Sequence, residues 1–518
     1  MMVSSTRRIN SLKKSTNKQL VQQQPELILK TDLITPIRFI PISTSELSLP
    51  AILKCGQTFR WIQSRFRIRR THKELIRIKE EDEQERTGLE TESTVDLEEW
   101  SMGWNDRTVV LRQDNEGLHY VSLYPPNEVE SFRTDLKFDT TLEKLKKYFA
   151  LEVSLVDLYK DWSSRDPNFL KKVSDGRFDG LRVCKQDPWE TVVSFICSSN
   201  NNIPRITMML NRVCASFGNQ LPSPPIGVTL TNQERLTIES DLYPISEMPM
   251  YSFPTPRRLS QPDVLDRLKQ LGFGYRANYV WKTSLKLCEI SDEAKSKGRW
   301  STHPGSDSES ELSDLTEIET ESGEKSEGEE EDVKVRPELE NWKGSKKDHE
   351  FEPVEFLNYL SNQTYKLAHQ ALIENFAGVG PKVSDCICLF GLGFVGIVPV
   401  DVHVYQIAIR DYKVSIISSQ KRSKKNNTKA KKLGGADEDF DEDTGAAKKN
   451  GEAQSNSLSK LNYDLIQSKL HDLWGPWAGW AQQILFLADL KYDSIKINLD
   501  KNSLSNSDQK PKKRKKHF

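Results

Sequence analysis

Cysteine is sparse and unpatterned in this 518-residue chain: Cys55, Cys184, Cys197, Cys214, Cys288, Cys386 and Cys388 are odd in number and include no C-x-x-C pair. A disulfide framework is therefore not expected, and a reducing compartment fits. None lies beyond Cys388, so a four-cysteine iron–sulfur loop cannot be built in the C-terminal part. No run of 18 apolar residues exists and the start "MMVSSTRRINSLKKSTNKQL" has no apolar segment, so neither a membrane partner nor secretion is expected. Acidic residues are missing before Glu26. That basic, Ser-rich start leaves an organellar (mitochondrial) transit peptide open. The tail "KPKKRKK", Lys510 to Lys516, reads as a nuclear import signal or as a solvated basic tail, and we expect the nucleus.

Charge is present but segregated. Residues 307–332 hold 13 acidic residues and one lysine, whereas 421–432 and 510–516 are runs of lysine and arginine, so the net charge of −1 is cancellation. Without these blocks and the basic start the remainder carries about −3, which argues neither for nor against nucleic acid.

The remaining stretches divide by period. "ITPIRFIPI", "QTFRWIQ", "TVVLRQ" and "GLHYVSLY" are rich in β-branched and aromatic residues and predict antiparallel strands, with a polar insert near 79–100. From Thr141 onward, "LEKLKKYFA", "WETVVSFICSS", "RITMMLNRVCASFG", "PDVLDRLKQLG" and "RANYVWKTSLKLCEI" set apolar residues three and four apart, as amphipathic helices do. The fold class is α+β: a basic N-terminus (1–29), an antiparallel sheet domain (30–150), and one helical domain made of 151–291, 346–412 and 457–493. Two insertions, 292–345 and 413–456, are too polar to order themselves, and 494–518 is a basic tail.

The stretch "GVGPKVSDCICLFGLGFVGIVPVDVHVYQIAIRDY", residues 378–412, carries the chemistry. It fits neither G-x-x-x-x-G-K-[ST] nor G-x-G-x-x-G, because Val383 takes the third glycine's place and the preceding segment is helical. "AGVGP" then reads as a tight hairpin between two helices. Gly378 and Gly380 can adopt positive φ and admit another backbone, and Pro381 suits a first helical turn whose free N–H groups could accept a DNA phosphate. A bare glycine cap between packed helices stays open on these residues alone.

Lys382 sits in that first turn, against the helix dipole, where its ammonium form is disfavoured and a neutral amine easier to reach. A lysine nucleophile and a phosphate-binding lysine both remain open. Cys386, one turn on, reaches the same face, but by itself it reads rather as a small core cysteine. Asp401 heads the apolar period of Val404, Ile407 and Ala408 and is a natural N-cap, a role compatible with chemistry. His403 contacts a phosphate or satisfies a backbone carbonyl.

Taken with "GQTFRW" (56–61), "QDPWETVVSFICSSNNNIPRI" (186–206), "LGFGYRANYV" (271–280) and "LWGPWAGWAQQILFLADL" (473–490), this stretch resembles the helix-hairpin-helix DNA glycosylase superfamily, specifically the eukaryotic 8-oxoguanine DNA glycosylases. The resemblance covers both folded regions in order and omits the tails and inserts. It implies an N-terminal antiparallel sheet domain followed by a mostly helical glycosylase domain, with glycosylase and AP lyase activity and no cofactor or metal. The implied partner is double-stranded DNA carrying 8-oxoguanine opposite cytosine, bound by a monomer.

It further implies that Lys382 is a Schiff-base nucleophile at C1′ and that Asp401 stabilises the oxocarbenium-like sugar. Phe486 would stack on the flipped base, Gln482 bond its Watson–Crick edge and Pro399 line the pocket, while Cys386 contacts the lysine. The carbonyl of Gly56 would accept the N7 hydrogen that only the oxidised base has. Asn200, Arg205 and Arg276 would read the orphaned cytosine, and Tyr275 would wedge into the duplex. Gly378, Gly380, Val383 and His403 would meet the DNA backbone, and Asp489 would lie near His403. Three positions depart from the family's usual residues: Ala377 for proline, Pro381 for a small polar residue and Phe390 for a pocket methionine. A related glycosylase of other base preference and a non-catalytic helix-hairpin-helix DNA-binding protein are the alternatives. Gly56 and Gln482 argue against the first, and Lys382 with Asp401 against the second.

Overall fold

A computed structural model of the chain describes residues 33–74, 89–235, 237–238, 249–298, 300, 352–416 and 459–490. The basic N-terminus, the basic tail and most of both polar insertions lie outside the described residues. Among the described residues six strands form one antiparallel sheet: β1 (Leu33–Ile34), β2 (Arg38–Pro41), β3 (Ile62–Glu74), β4 (Leu89–Gly103), β5 (Thr108–Gln113) and β6 (Gly117–Tyr124). Their order is β1-β6-β5-β4-β3, and β2 also pairs with β6. β5 and β6 coincide with the stretches "TVVLRQ" and "GLHYVSLY". They are buried on both faces, Val109, Leu111, Leu118 and Tyr120 against the main core and Val110, Val121 and Leu123 against Val228. That double burial is why "TVVLRQ" is an apolar run rather than an alternation.

Three expectations need correction. The segment from Leu89 to Trp100 is strand, not insert, and pairs residue by residue with β3. Its acidic side chains face β3's arginines, Arg65 with Glu98 at 3.0 Å and Arg67 with Asp96 at 2.6 Å. A polarity that looked like solvation is cross-strand pairing. "QTFRWIQ" becomes strand only at Ile62; Gln57–Trp61 is a buried loop. The helical part begins before Thr141, with a helix at Val129–Phe138 whose sole buried residue is Asp135 and whose Leu136 and Phe138 stay exposed.

The helices that frame the site are α1 (Pro188–Ser198), α2 (Ile203–Phe217), α3 (Arg276–Lys297), α4 (Tyr365–Asn375), α5 (Pro381–Ile387), α6 (Val402–Arg410), α7 (Lys460–Trp474) and α8 (Ala478–Asp489). Side chains cap many of their starts: Asp187 accepts from the N–H of Glu190 at 2.8 Å, Asn202 from Arg205 at 3.0 Å and Asp401 from Val404 at 2.9 Å. α3 runs past residue 291 because Ala294 is still buried, and it ends at Gly298 in the left-handed region. One hydrophobic core joins sheet and helices, with Trp100 and Leu111 in the same cluster as Phe195, Ile387, Leu389 and Trp480.

Candidate active site

The hairpin forms as expected at Gly378, with a difference at Gly380. Gly378 has φ +80°, and a Cβ there would lie 2.5 Å from the ring of Tyr279, so both backbone and space require glycine. Gly380 has φ −105° and nothing within 4 Å of a would-be Cβ. Its backbone suits any residue, and what it offers is open space. Pro381 opens α5, which packs on α1 and continues into a π-helical turn at Cys388–Leu392.

Lys382, the second residue of α5, is half-buried. Its Nζ lies 5.7 Å from the centre of the Phe195 ring, which stacks on Phe390 with centroids 5.2 Å apart and planes 5° from parallel. The methionine-to-phenylalanine departure thus builds a flat aromatic floor under the lysine. Cys386 hydrogen-bonds the amine, and burial pushes its thiol up to about 11, an effect the lysine partly offsets. The electrostatics of Lys382 differ from the expectation. Burial acts in the expected direction, but Cys386, Asp401 and Asp385 outweigh it, so the ammonium is held above its ordinary value. Helix-start position alone misses this, because it ignores Cys386 one turn on and the carboxylates of Asp401 and Asp385.

Asp401 is half-buried and caps α6, so it serves as the expected N-cap while its charge acts on Lys382. Before it, Val398, Pro399 and Val400 are buried. On α8, Gln482 is 5% exposed. Phe486, four residues on, meets the His403 ring edge-to-face at 5.7 Å, which joins α8 to α6 beside Asp401. Asp489 pairs with Arg410 at 2.7 Å rather than with His403, because Arg410 closes the far end of α6.

Gly56 has φ +84°, and a Cβ would lie 2.9 Å from Cδ1 of Ile203 at the start of α2. Its loop is held from three sides. Gln57 donates to the carbonyl of Arg182 and accepts from the N–H of Cys184, each at 2.8 Å. The Gln57 carbonyl accepts from the Gln186 amide at 2.7 Å, and the Gln186 N–H donates to the Phe390 carbonyl at 2.7 Å. Gln483 bonds the thiol of Cys55. The Gly56 loop, Phe390 and the helix of Gln482 are therefore one connected unit.

A second group lies around the turn after α1. Asn200, exposed, has φ +49°, and Arg205 is exposed. Tyr275 is 52% exposed and donates to the Ser199 carbonyl at 3.1 Å. Arg276, expected at the surface, is 2% exposed; its guanidinium donates to the carbonyls of Ser199 and Asn200 and lies beside the Tyr275 ring. The side chain of Val383 is in the core, which leaves its backbone for any outside contact. Sequence inspection missed Phe195, Gln57, Gln186 and Asp385. An aspartate directly before the apolar run "CICLF" is the signal that could have found Asp385.

Residues 193–432, which carry Lys382 and Asp401, match the HhH-GPD superfamily of base excision DNA repair proteins; residues 39–192 match the 8-oxoguanine DNA glycosylase N-terminal domain. Among curated proteins the chain is 31% identical over 454 residues to an N-glycosylase/DNA lyase of Saccharomyces cerevisiae, with 87% of this chain and 85% of that protein covered. It is 27% identical over 391 residues to the N-glycosylase/DNA lyase OGG1 of Arabidopsis thaliana, covering 75% and 74%. A crystal structure of Clostridium acetobutylicum 8-oxoguanine glycosylase/lyase in complex with dsDNA containing cytosine opposite to 8-oxoG superposes with a TM-score of 0.45 at 18% identity, over 90% of this chain and 99% of that one. The chain belongs to the 8-oxoguanine N-glycosylase/DNA lyase family of helix-hairpin-helix enzymes.

Proposed function

We propose that this enzyme excises 8-oxoguanine paired with cytosine from duplex DNA through an imine on Lys382, then breaks the strand on the 3′ side by β-elimination. The observation that carries this is a Lys382 amine hydrogen-bonded to Cys386, with the Asp401 carboxylate near enough to act on its charge. The amine, once deprotonated, attacks C1′ as the bond to the base breaks and the base leaves with the electron pair. Asp401 faces the positive charge that develops on the sugar, where a fixed carboxylate helps the transition state more than the ground state. The lysine–sugar adduct opens to an imine, which acidifies the C2′ hydrogen; its loss expels the 3′ phosphate.

Gln482 would bond the edge of the flipped base, Phe486 would stack on it and the carbonyl of Gly56 would accept its N7 hydrogen. Pro399 would line the pocket wall. On the opposite strand Asn200 and Arg205 would meet the unpaired cytosine, with Arg276 fixing the Asn200 turn and Tyr275 standing in the gap. The open face at Gly380, the Val383 backbone and His403 would lie along the phosphodiester chain. No partner subunit or metal enters this scheme. Borohydride trapping tests it: on a duplex with 8-oxoguanine opposite cytosine the parent forms a covalent adduct and Lys382→Gln forms none. A parent that forms no adduct would overturn the lysine mechanism.

A further inference from the structure

Asp385 lies three residues after Lys382 and is fully buried. Its carboxylate is surrounded by two pairs of side chains spaced four apart on flanking helices, Tyr365 and His369 on α4 and Tyr463 and Gln467 on α7. One oxygen accepts from the Tyr365 hydroxyl at 2.7 Å and lies 3.2 Å from Nε2 of His369. The other accepts from the Tyr463 hydroxyl and from the Gln467 amide at 3.0 Å.

The two α7 partners reach further. The Tyr463 oxygen accepts the N–H of Val400 at 3.2 Å, and the second Gln467 amide hydrogen goes to the Val398 carbonyl at 3.2 Å. Val398 and Val400 are buried, so these backbone groups on either side of Pro399 need partners inside the protein. A hydroxyl or an amide can turn either way. The carboxylate decides the direction, because it accepts only: it takes the Tyr463 hydrogen and leaves a lone pair for Val400, and it turns the Gln467 amide nitrogen toward Val398. Asp401 follows Val400 directly.

We infer that Asp385 and Tyr463 are positioning residues, which clamp the Val398–Asp401 segment to the nucleophile's own helix and so hold the Asp401 carboxylate opposite Lys382. The inference rests on the lysine mechanism proposed above. A buried carboxylate is a costly way to satisfy two backbone groups. It gains its place if the distance between nucleophile and stabilising charge must be kept, since a displacement of about 1 Å can cost on the order of a hundredfold in rate.

The test compares chemistry with binding in the full chain. Single-turnover excision is measured on a duplex with 8-oxoguanine opposite cytosine, and affinity on the same duplex with a tetrahydrofuran abasic analogue. Tyr463→Phe is expected to slow excision by about ten- to a hundredfold and to leave affinity within about twofold. Asp385→Asn slows excision comparably, and the double variant is no slower than the slower single one, because both act through one chain of hydrogen bonds. Unchanged excision, equal losses of rate and affinity, or additive losses would overturn the clamp. Should Tyr463→Phe fail to fold, Gln467→Met removes the second bond to the same segment and must show the same split. A parent that forms no borohydride adduct sinks the lysine mechanism instead, so the two failures are distinguishable.

Discussion

Glu99 on the sheet and Lys382 in the cleft are held in opposite ways. On β4, Glu99 is 2% exposed and accepts from the N–H groups of Gly227 and Thr229 at 2.9 and 2.8 Å and from the Thr229 hydroxyl at 2.5 Å. Arg60 gives its guanidinium to Glu190 at 2.6 Å and to the carbonyls of Gly103 and Tyr251 at 2.7 Å. These groups are closed within the protein and serve to bind loops to the sheet. In the cleft, Lys382 has a thiol, an aromatic face and charges at a distance in place of a closed set of bonds. A polar group held without a closed set of partners leaves room for a ligand to complete it.

Asp401→Asn breaks the comparison most sharply. Asparagine caps a helix about as well as aspartate, so thermal denaturation should shift by less than about 0.5 kcal/mol. Single-turnover excision should fall on the order of 10²–10³-fold, because the charge opposite the sugar is gone. The same variant has a pH signature. Asp401 helps hold the Lys382 ammonium above its ordinary value, and only the neutral amine attacks. The rate of imine trapping on a preformed abasic site therefore rises with pH, and Asp401→Asn moves that rise to lower pH. A limb that stays in place would show that the two side chains do not interact.

Gly378→Ala should act on the fold instead. A Cβ at φ +80°, pressed on the Tyr279 ring, is expected to cost about 1–3 kcal/mol in denaturant unfolding. Glu99→Gln isolates the sheet's kind of buried carboxylate. The amide sets a donor against the N–H of Gly227 or against the Thr229 donors, for about 1–3 kcal/mol, with excision per folded molecule unchanged. A loss of rate there would remove the distinction between the two regions.

Legibility in the sequence follows the same division. β5, β6 and the framing helices were readable because burial sets their period, and the Asp401 cap because its chemistry is local. The β3–β4 hairpin was not, since the acids of β4 look solvated until β3's arginines stand opposite. The direction of the Lys382 shift is only partly legible: Cys386, its foremost raising partner, is one turn on, whereas Asp401 is nineteen residues away in the chain and comes near only through the fold. Arg276 reads as a surface arginine and proves to be the buried support of the Asn200 turn. Lys382, Cys386 and Asp401 were legible through the hairpin's sequence, whereas Asp385 is one more polar letter in a helix until α4 and α7 surround it.

Gly380→Ala carries the smallest expected effect on stability and sharpens the comparison at the cleft's rim. At φ −105° alanine is unstrained, and its smaller unfolded-state entropy favours the fold by about 0.4–1 kcal/mol. Alanine is also a poorer N-cap than glycine, by a comparable amount in the other direction, so the net change in unfolding should be close to zero. Nothing in the protein lies within 4 Å of the new methyl group. If that space receives the DNA backbone, the methyl keeps a phosphate out, and affinity for an abasic-analogue duplex falls several-fold with stability untouched. Affinity equal to the parent's would mean that the hairpin faces solvent at Gly380, and the duplex would have to run elsewhere along the cleft.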